Sequence, residues 1–273
     1  MRAMGEILYD LDSAAIAGAL FVSMAVVIEL GHRLGRRRAP RTDPAAREHI
    51  NGIQAAILGV LALLLGFTFS LSLQRFDSRS AAVVEEANAI GTAWLRSALL
   101  APALQAEAVP LFVRYVELRV REGSLTLAEE GERHKILADS MQVQSALWAT
   151  ARKALAAEPQ AEAPALYAEA VNQMIDGFGR RDATLKRHVP EVVLMLLYAT
   201  FLLAGIIVGY ACGVGGHRPS LASYAMVALI VVLVYLIVDL DRPRRGVIRV
   251  SQQILVELQA AVRGQTPTAD GRR

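Results

Sequence analysis

The chain has 273 residues, 54% of them hydrophobic, a formal net charge of +3 and a mean hydropathy of +0.36. That apolarity, in a chain still 20% charged, excludes an ordinary soluble domain and requires the apolar residues to be gathered into blocks. The small net charge, with arginines clustered at the edges of those blocks, excludes nucleic acid as a partner, and the single cysteine, Cys212, excludes an intrachain disulfide.

Four blocks reach membrane length: Ser13 to Leu30, Gly52 to Leu73, Val192 to Cys212 and Ser220 to Val238. The first follows Glu6, Asp10 and Asp12 against Arg2 alone, the reverse of a signal-peptide start, so it is expected to stay as a span. Near its end Glu29 precedes His32 by three residues, which puts the two on one helical face. A basic loop then carries Arg33, Arg36, Arg37, Arg38, Arg41 and Arg47 around Pro40 and Pro44.

The second block begins a longer pattern. Ala55, Gly59, Ala62, Gly66, Phe69, Leu73, Phe76, Ser80, Val83, Ala87, Ile90 and Trp94 recur at steps of four and three with no proline between them. A helix of this length is roughly 60 Å long, twice the roughly 30 Å of a bilayer core, so its second half must leave the membrane. The small residues suit close helix packing within one chain, or a ring of such helices around an axis with Phe69, Leu73 and Phe76 as an apolar constriction. Glu85, Glu86 and Asn88 are expected on a solvated face of the projecting half.

The remaining extramembrane segment reads as helices over Val109 to Glu122, opening with Pro110, Ala128 to Ala157 and Pro164 to His188. Pro102, Gly123, Ser124 and the stretch from Glu158 to Pro164 punctuate them. In the last helix Leu166, Ala170, Gln173 or Met174, Gly177, Phe178 and Leu185 form a stripe that can pack on the projecting half of the second span. The third and fourth spans are joined by a Gly-rich turn from Gly213 to Pro219. That turn follows an apolar helix and lacks the Lys-Ser or Lys-Thr ending of a phosphate loop. After the fourth span, Pro243 and Gly246 are expected to turn the chain. Asp241, Arg242, Pro243, Arg245 and Gly246 then make an interfacial corner, either structural or suited to an anion or lipid headgroup. Ser251 can cap a last amphipathic helix with Ile254, Leu255, Leu258 and Val262 on one face.

The fold expected is therefore an all-α integral membrane protein: four transmembrane helices, a helical bundle inserted between spans two and three, and span two continuing into the bundle. Residues 1–73 hold the first two spans, 74–189 the bundle, 190–239 the last two spans, and 240–273 the turn, amphipathic helix and tail. Five scattered histidines, one cysteine and serines without an elbow motif support no catalytic residue, metal site or cofactor.

Two stretches resemble the bestrophin-like membrane proteins of bacteria and plants. The first runs from Gly59-Val60-Leu61 through Phe76 to Val84-Glu85-Glu86-Ala87-Asn88, the second from Leu240-Asp241-Arg242-Pro243 to Val250-Ser251. The resemblance implies relatives of bestrophins, which are oligomeric ion channels lined by their second span. It implies here a homo-oligomer with span two at the pore, in a bacterial inner membrane with bundle and termini cytoplasmic, in contact with membrane lipid and ions. Asp239 and Asp241 are followed by arginines rather than by an acidic cluster, so calcium gating is not implied. The alternative is a non-conducting sensor or scaffold whose bundle binds a protein partner.

Overall fold

The computed structural model describes residues 13–125, 129–187, 189–242 and 247–264. Within them lie α1 (Ser13–Arg38), α2 (Pro44–Ser97), α3 (Pro102–Ser124), α4 (Glu130–Ala157), α5 (Glu162–Leu185), α6 (Glu191–Val214), α7 (Leu221–Asp241) and α8 (Gln253–Gly264). A short 3-10 turn, Ala39–Arg41, lies between α1 and α2. The described chain has no strand, and α1, α2, α6 and α7 are each long and apolar enough to cross a membrane. The chain divides into two compact units, one of Met1–Arg75 with His188–Ile248 and one of Phe76–Arg187 with Arg249–Arg273.

In the first unit α1 packs mainly on α6 and then on α7. Leu20, Met24, Ile28, Leu61, Phe201, Val227 and Ile237 are at the centre of its core. Glycine lets α1 and α6 touch backbone to backbone. A methyl group at Gly31 or Gly35 would run into the carbonyls of Ile206 or Tyr210, and one at Gly209 or Gly213 into those of Ile28 or His32. Such contact suits lipid, where tails are as apolar as leucine and helices must associate by close packing. The turn after α6 is a Schellman motif: His217 N–H donates to Cys212 O at 3.2 Å and Gly216 N–H to Gly213 O at 3.2 Å. Gly216, at φ 76°, takes the left-handed position that a side chain would strain.

The second unit surrounds Val83, Ala87, Ile90, Phe112, Tyr115, Leu147, Tyr167, Val171, Met174 and Leu255. Its helix α3 starts earlier than the sequence indicates. Pro102 occupies the first turn of α3, where a missing N–H costs nothing, and Pro110 lies inside the helix rather than opening it. Of the stripe expected on α5, Ala170, Met174 and Gly177 are buried, joined by Tyr167, Val171 and Arg181, whereas Leu166 is exposed. Gly177 meets α2 as expected, since its Cβ position lies 3.4 Å from the Cα of Glu86. Arg79 donates to the carbonyl of Arg187 at 2.9 Å just beyond the end of α5, where orphan carbonyls need donors. At the start of α8 the Ser251 hydroxyl accepts the Gln253 N–H at 3.3 Å.

Candidate functional site

The regular spacing on α2 does not stay on one face of the helix. A period of 3.5 residues laid on a helix of 3.6 drifts by about 20° per heptad, roughly 110° between Ala55 and Trp94. Ala55, Gly59, Ala62 and Gly66 accordingly lie on the exposed side, Phe69 and Phe76 are half-buried, and Leu73 is exposed. Val83, Ala87 and Ile90 have rotated into the core of the second unit. Within the first unit an adjoining face of α2 is the buried one, with Leu61, Leu65, Thr68 and Ser72.

Nothing lies within 4 Å of a Cβ placed on Gly59 or Gly66. The close intrachain packing that sequence reasoning offers for these residues is therefore not made there; it is made by Gly31, Gly35, Gly209 and Gly213 instead. The signal for that pair is a G-x-x-x-G spacing, present at Gly31/Gly35 and at Gly205/Gly209/Gly213. Flanking the bare strip of α2 are Val60, Leu63 and Phe67, each more than half exposed.

At the end of α7 the corner is held by carboxylates on backbone N–H groups. Asp241 Oδ2 accepts the Val189 N–H at 3.0 Å. Asp239 accepts Val247 N–H at 3.0 Å and Ile248 N–H at 2.9 Å, one on each oxygen. Arg242 donates to the Ser13 hydroxyl at 3.2 Å. All three charged side chains are buried, where such charge-assisted bonds are stronger than neutral ones. Pro243, Arg245 and Gly246 lie outside the described residues. Asp239 completes the geometry although the spacing of turn residues does not single it out.

A further constellation was not legible as such. Glu86, expected on a solvated face, is fully buried in the second unit. Its Oε1 accepts Arg119 Nε at 2.7 Å and its Oε2 accepts Arg181 Nη1 at 2.5 Å. Glu122 accepts Arg181 Nη2 at 3.2 Å and Arg133 Nε at 3.2 Å, while Arg133 also reaches Asp182 at 3.1 Å. Gln252 Oε1 accepts from Arg181 Nη2 at 2.9 Å, and the Arg119 guanidinium lies 4.7 Å from the centre of the Phe178 ring. Burial works against the Arg119 charge, but Glu86, Tyr115 and Glu122 outweigh it and hold its pKa above the usual arginine value. Burial pushes the Tyr115 hydroxyl well up, helped by the Glu86 charge and opposed by Arg119 and by the Gln144 hydrogen bond. The neighbouring Glu85 and Asn88 match the solvated expectation: both are exposed, and Glu85 pairs with Arg180 at 3.5 Å on the surface. Glu29 likewise pairs with Arg33 at 2.7 Å, while His32 is buried.

Among the described residues no group of three or more His, Cys, Asp and Glu is arranged to hold a metal ion. The balanced charges of the second unit tie α2, α3 and α5 together, and the bare strip of α2 offers small apolar residues rather than reactive groups.

In three dimensions the chain is similar to the crystal structure of a bacterial bestrophin homologue from Klebsiella pneumoniae bearing one mutation. The TM-score is 0.62 at 12% sequence identity, over 90% of this chain and 98% of that one. At that identity the likeness is one of fold. No curated protein matches the chain. Residues 19–255 match the Bestrophin-like domain, and with four membrane-length helices and an all-helical fold around them, the chain belongs to the Bestrophin-like family.

Proposed function

We propose that this membrane protein is a homo-oligomeric ion channel in which copies of α2 surround a common axis. The observation that carries the reading is the bare strip Ala55, Gly59, Ala62 and Gly66: small residues, exposed, with open space at both glycines. In lipid no hydrophobic drive favours or penalises such a face, so its smallness makes sense where another helix or a narrow passage approaches it. Phe69, Leu73 and Phe76 follow as the apolar constriction, which gates by dewetting. Residues 1–73 and 190–239 supply the spans, 74–189 an extension of the passage, and 240–273 the return of the chain. In that last segment Asp241, Arg242, Pro243, Arg245 and Gly246 fix the exit of α7. The protein sits in a bacterial inner membrane with bundle and termini on the cytoplasmic side.

The test is conductance of the purified protein in planar bilayers. Leu73→Ser, which wets the constriction, is expected to raise the leak current severalfold, and Leu63→Ser to leave it alone. Equal currents from wild type, Leu73→Ser and protein-free bilayers contradict the channel.

A second reading has its own support. Met141, Trp148 and Leu155 recur at heptad spacing on α4 and are exposed, a face suited to a protein partner of the bundle. On that reading the protein is a non-conducting sensor or scaffold, and a partner co-purifies with it until Glu130–Ala157 is removed.

A further inference from the structure

The polar end of the first unit carries a charge that the fold does not use. Between Arg33 and Arg47 there are six arginines and no lysine, against Asp43, with Glu29 and Glu48 at the flanks. The acids are largely engaged: Glu29 holds Arg33 at 2.7 Å, and Asp43 Oδ1 accepts the Ala46 N–H at 2.7 Å at the start of α2. Arg36, Arg37, Arg38, Arg41 and Arg47 are exposed and form no ion pair among the described residues. Nor are they needed to close α1, because Thr42 donates its hydroxyl to Arg38 O at 2.9 Å and its N–H to Ala39 O at 3.3 Å. Gly31 and Gly35 turn one face of α1 onto α6. On another face Val22, Val26, Leu30 and Leu34 stand exposed at successive turns, and Arg37 follows Leu30 two turns on, nearly in line with it.

We propose that Arg37, Arg38 and Arg41, with Leu30 and Leu34 beside them, form a binding surface for an anionic lipid. The headgroup phosphate takes paired N–H donors from the guanidiniums, a geometry that arginine offers and lysine does not. The acyl chain lies along the leucines. Those leucines choose between the two sources of phosphate chemistry: a free phosphate has no use for an apolar face at its side, whereas a lipid must have one. A zwitterionic lipid offers the same tail but cancels the charge that five unpaired arginines attract.

The test uses the full chain in detergent, with native mass spectrometry to count retained lipid. Phosphatidylglycerol and phosphatidylcholine are added in equal amounts, with inorganic phosphate as competitor. Phosphatidylglycerol is expected to be retained at least tenfold better than phosphatidylcholine, and excess inorganic phosphate to leave it bound. In Arg37→Gln/Arg38→Gln/Arg41→Gln the preference falls to about twofold or to nothing, and Leu34→Ser weakens retention of both lipids. Equal retention of the two lipids by the wild type, an unchanged preference in the triple variant, or full displacement by inorganic phosphate overturns the proposal. The wild-type comparison decides even if the triple variant fails to fold.

Discussion

One half of α2 leaves its small residues bare, and the other buries the centre of the stripe that its spacing supplies. In the second unit Val83, Ala87 and Ile90 are inside and even the carboxylate of Glu86 is fully buried. In the first unit Ala55, Gly59, Ala62 and Gly66 stay outside. The difference follows from the solvent. Outside the membrane an apolar stripe lowers its free energy only by leaving water, so the chain covers it with its own helices. In lipid an apolar face is already in an apolar medium, and what covers it is decided by shape and close packing. Regular apolar spacing therefore says that a face exists; the medium decides whether the same chain must fill it.

That contrast can be broken most forcefully at Glu86. Glu86→Ala leaves Arg119 and Arg181 buried with a lost partner, at an expected cost of about 3–5 kcal/mol, while Glu85→Ala next to it costs less than about 1 kcal/mol. Both tryptophans, Trp94 and Trp148, belong to the second unit, so denaturant unfolding followed by their fluorescence reads this difference directly. A comparable loss at both glutamates would mean that the ion pairs of Glu86 do not hold the unit together.

Truncation of apolar side chains sharpens the same point. Ile90→Ala is expected to destabilise the second unit by about 2–5 kcal/mol, whereas Leu63→Ala, on the exposed side of the span, leaves that transition in place within about 0.5 kcal/mol. Within the first unit, Gly31→Ala drives a methyl into the Ile206 carbonyl and should cost about 1–3 kcal/mol. Gly66→Ala has room and should cost less than about 0.5 kcal/mol in the isolated chain. Thermal melting by circular dichroism separates these two, and equal shifts would contradict the bare face.

A further expected effect is alkaline. Burial raises the folded-state pKa of Tyr115 above its ordinary value of 10.0. Its contribution to stability is therefore complete below pH 10 and is lost as pH rises through and beyond that value. The loss is about 1.4 kcal/mol per pH unit for one such group. The tryptophan-monitored transition should weaken above pH 10 and be flat between pH 7 and pH 9; weakening already at pH 8 would point to a different group.

Much of this was legible in the chain. Apolar length locates the four membrane helices, the absence of proline carries α2 past the bilayer, and Ser251 marks the start of α8. The rotation of the α2 stripe was not visible, because a 3.5 and a 3.6 period differ little over one heptad and diverge only over several. Glu86 was misplaced for a different reason. A carboxylate in a polar stretch reads as solvated, and its two arginine partners lie on α3 and α5, far away in sequence. Gly31, Gly35, Gly209 and Gly213 did carry a signal in their four-residue spacing, but the small residues of α2 display similar spacing without packing inside the chain. Sequence shows which faces are able to approach closely, not which of them find a partner in the same copy.

The central claim is that the bare strip of α2 is completed by other copies of the chain. Its most direct test is the mass of the detergent-purified protein by light scattering, corrected for bound detergent. The prediction is a closed ring of about five copies, reduced to single chains by Gly59→Leu/Gly66→Leu. A wild-type monomer or dimer would contradict it.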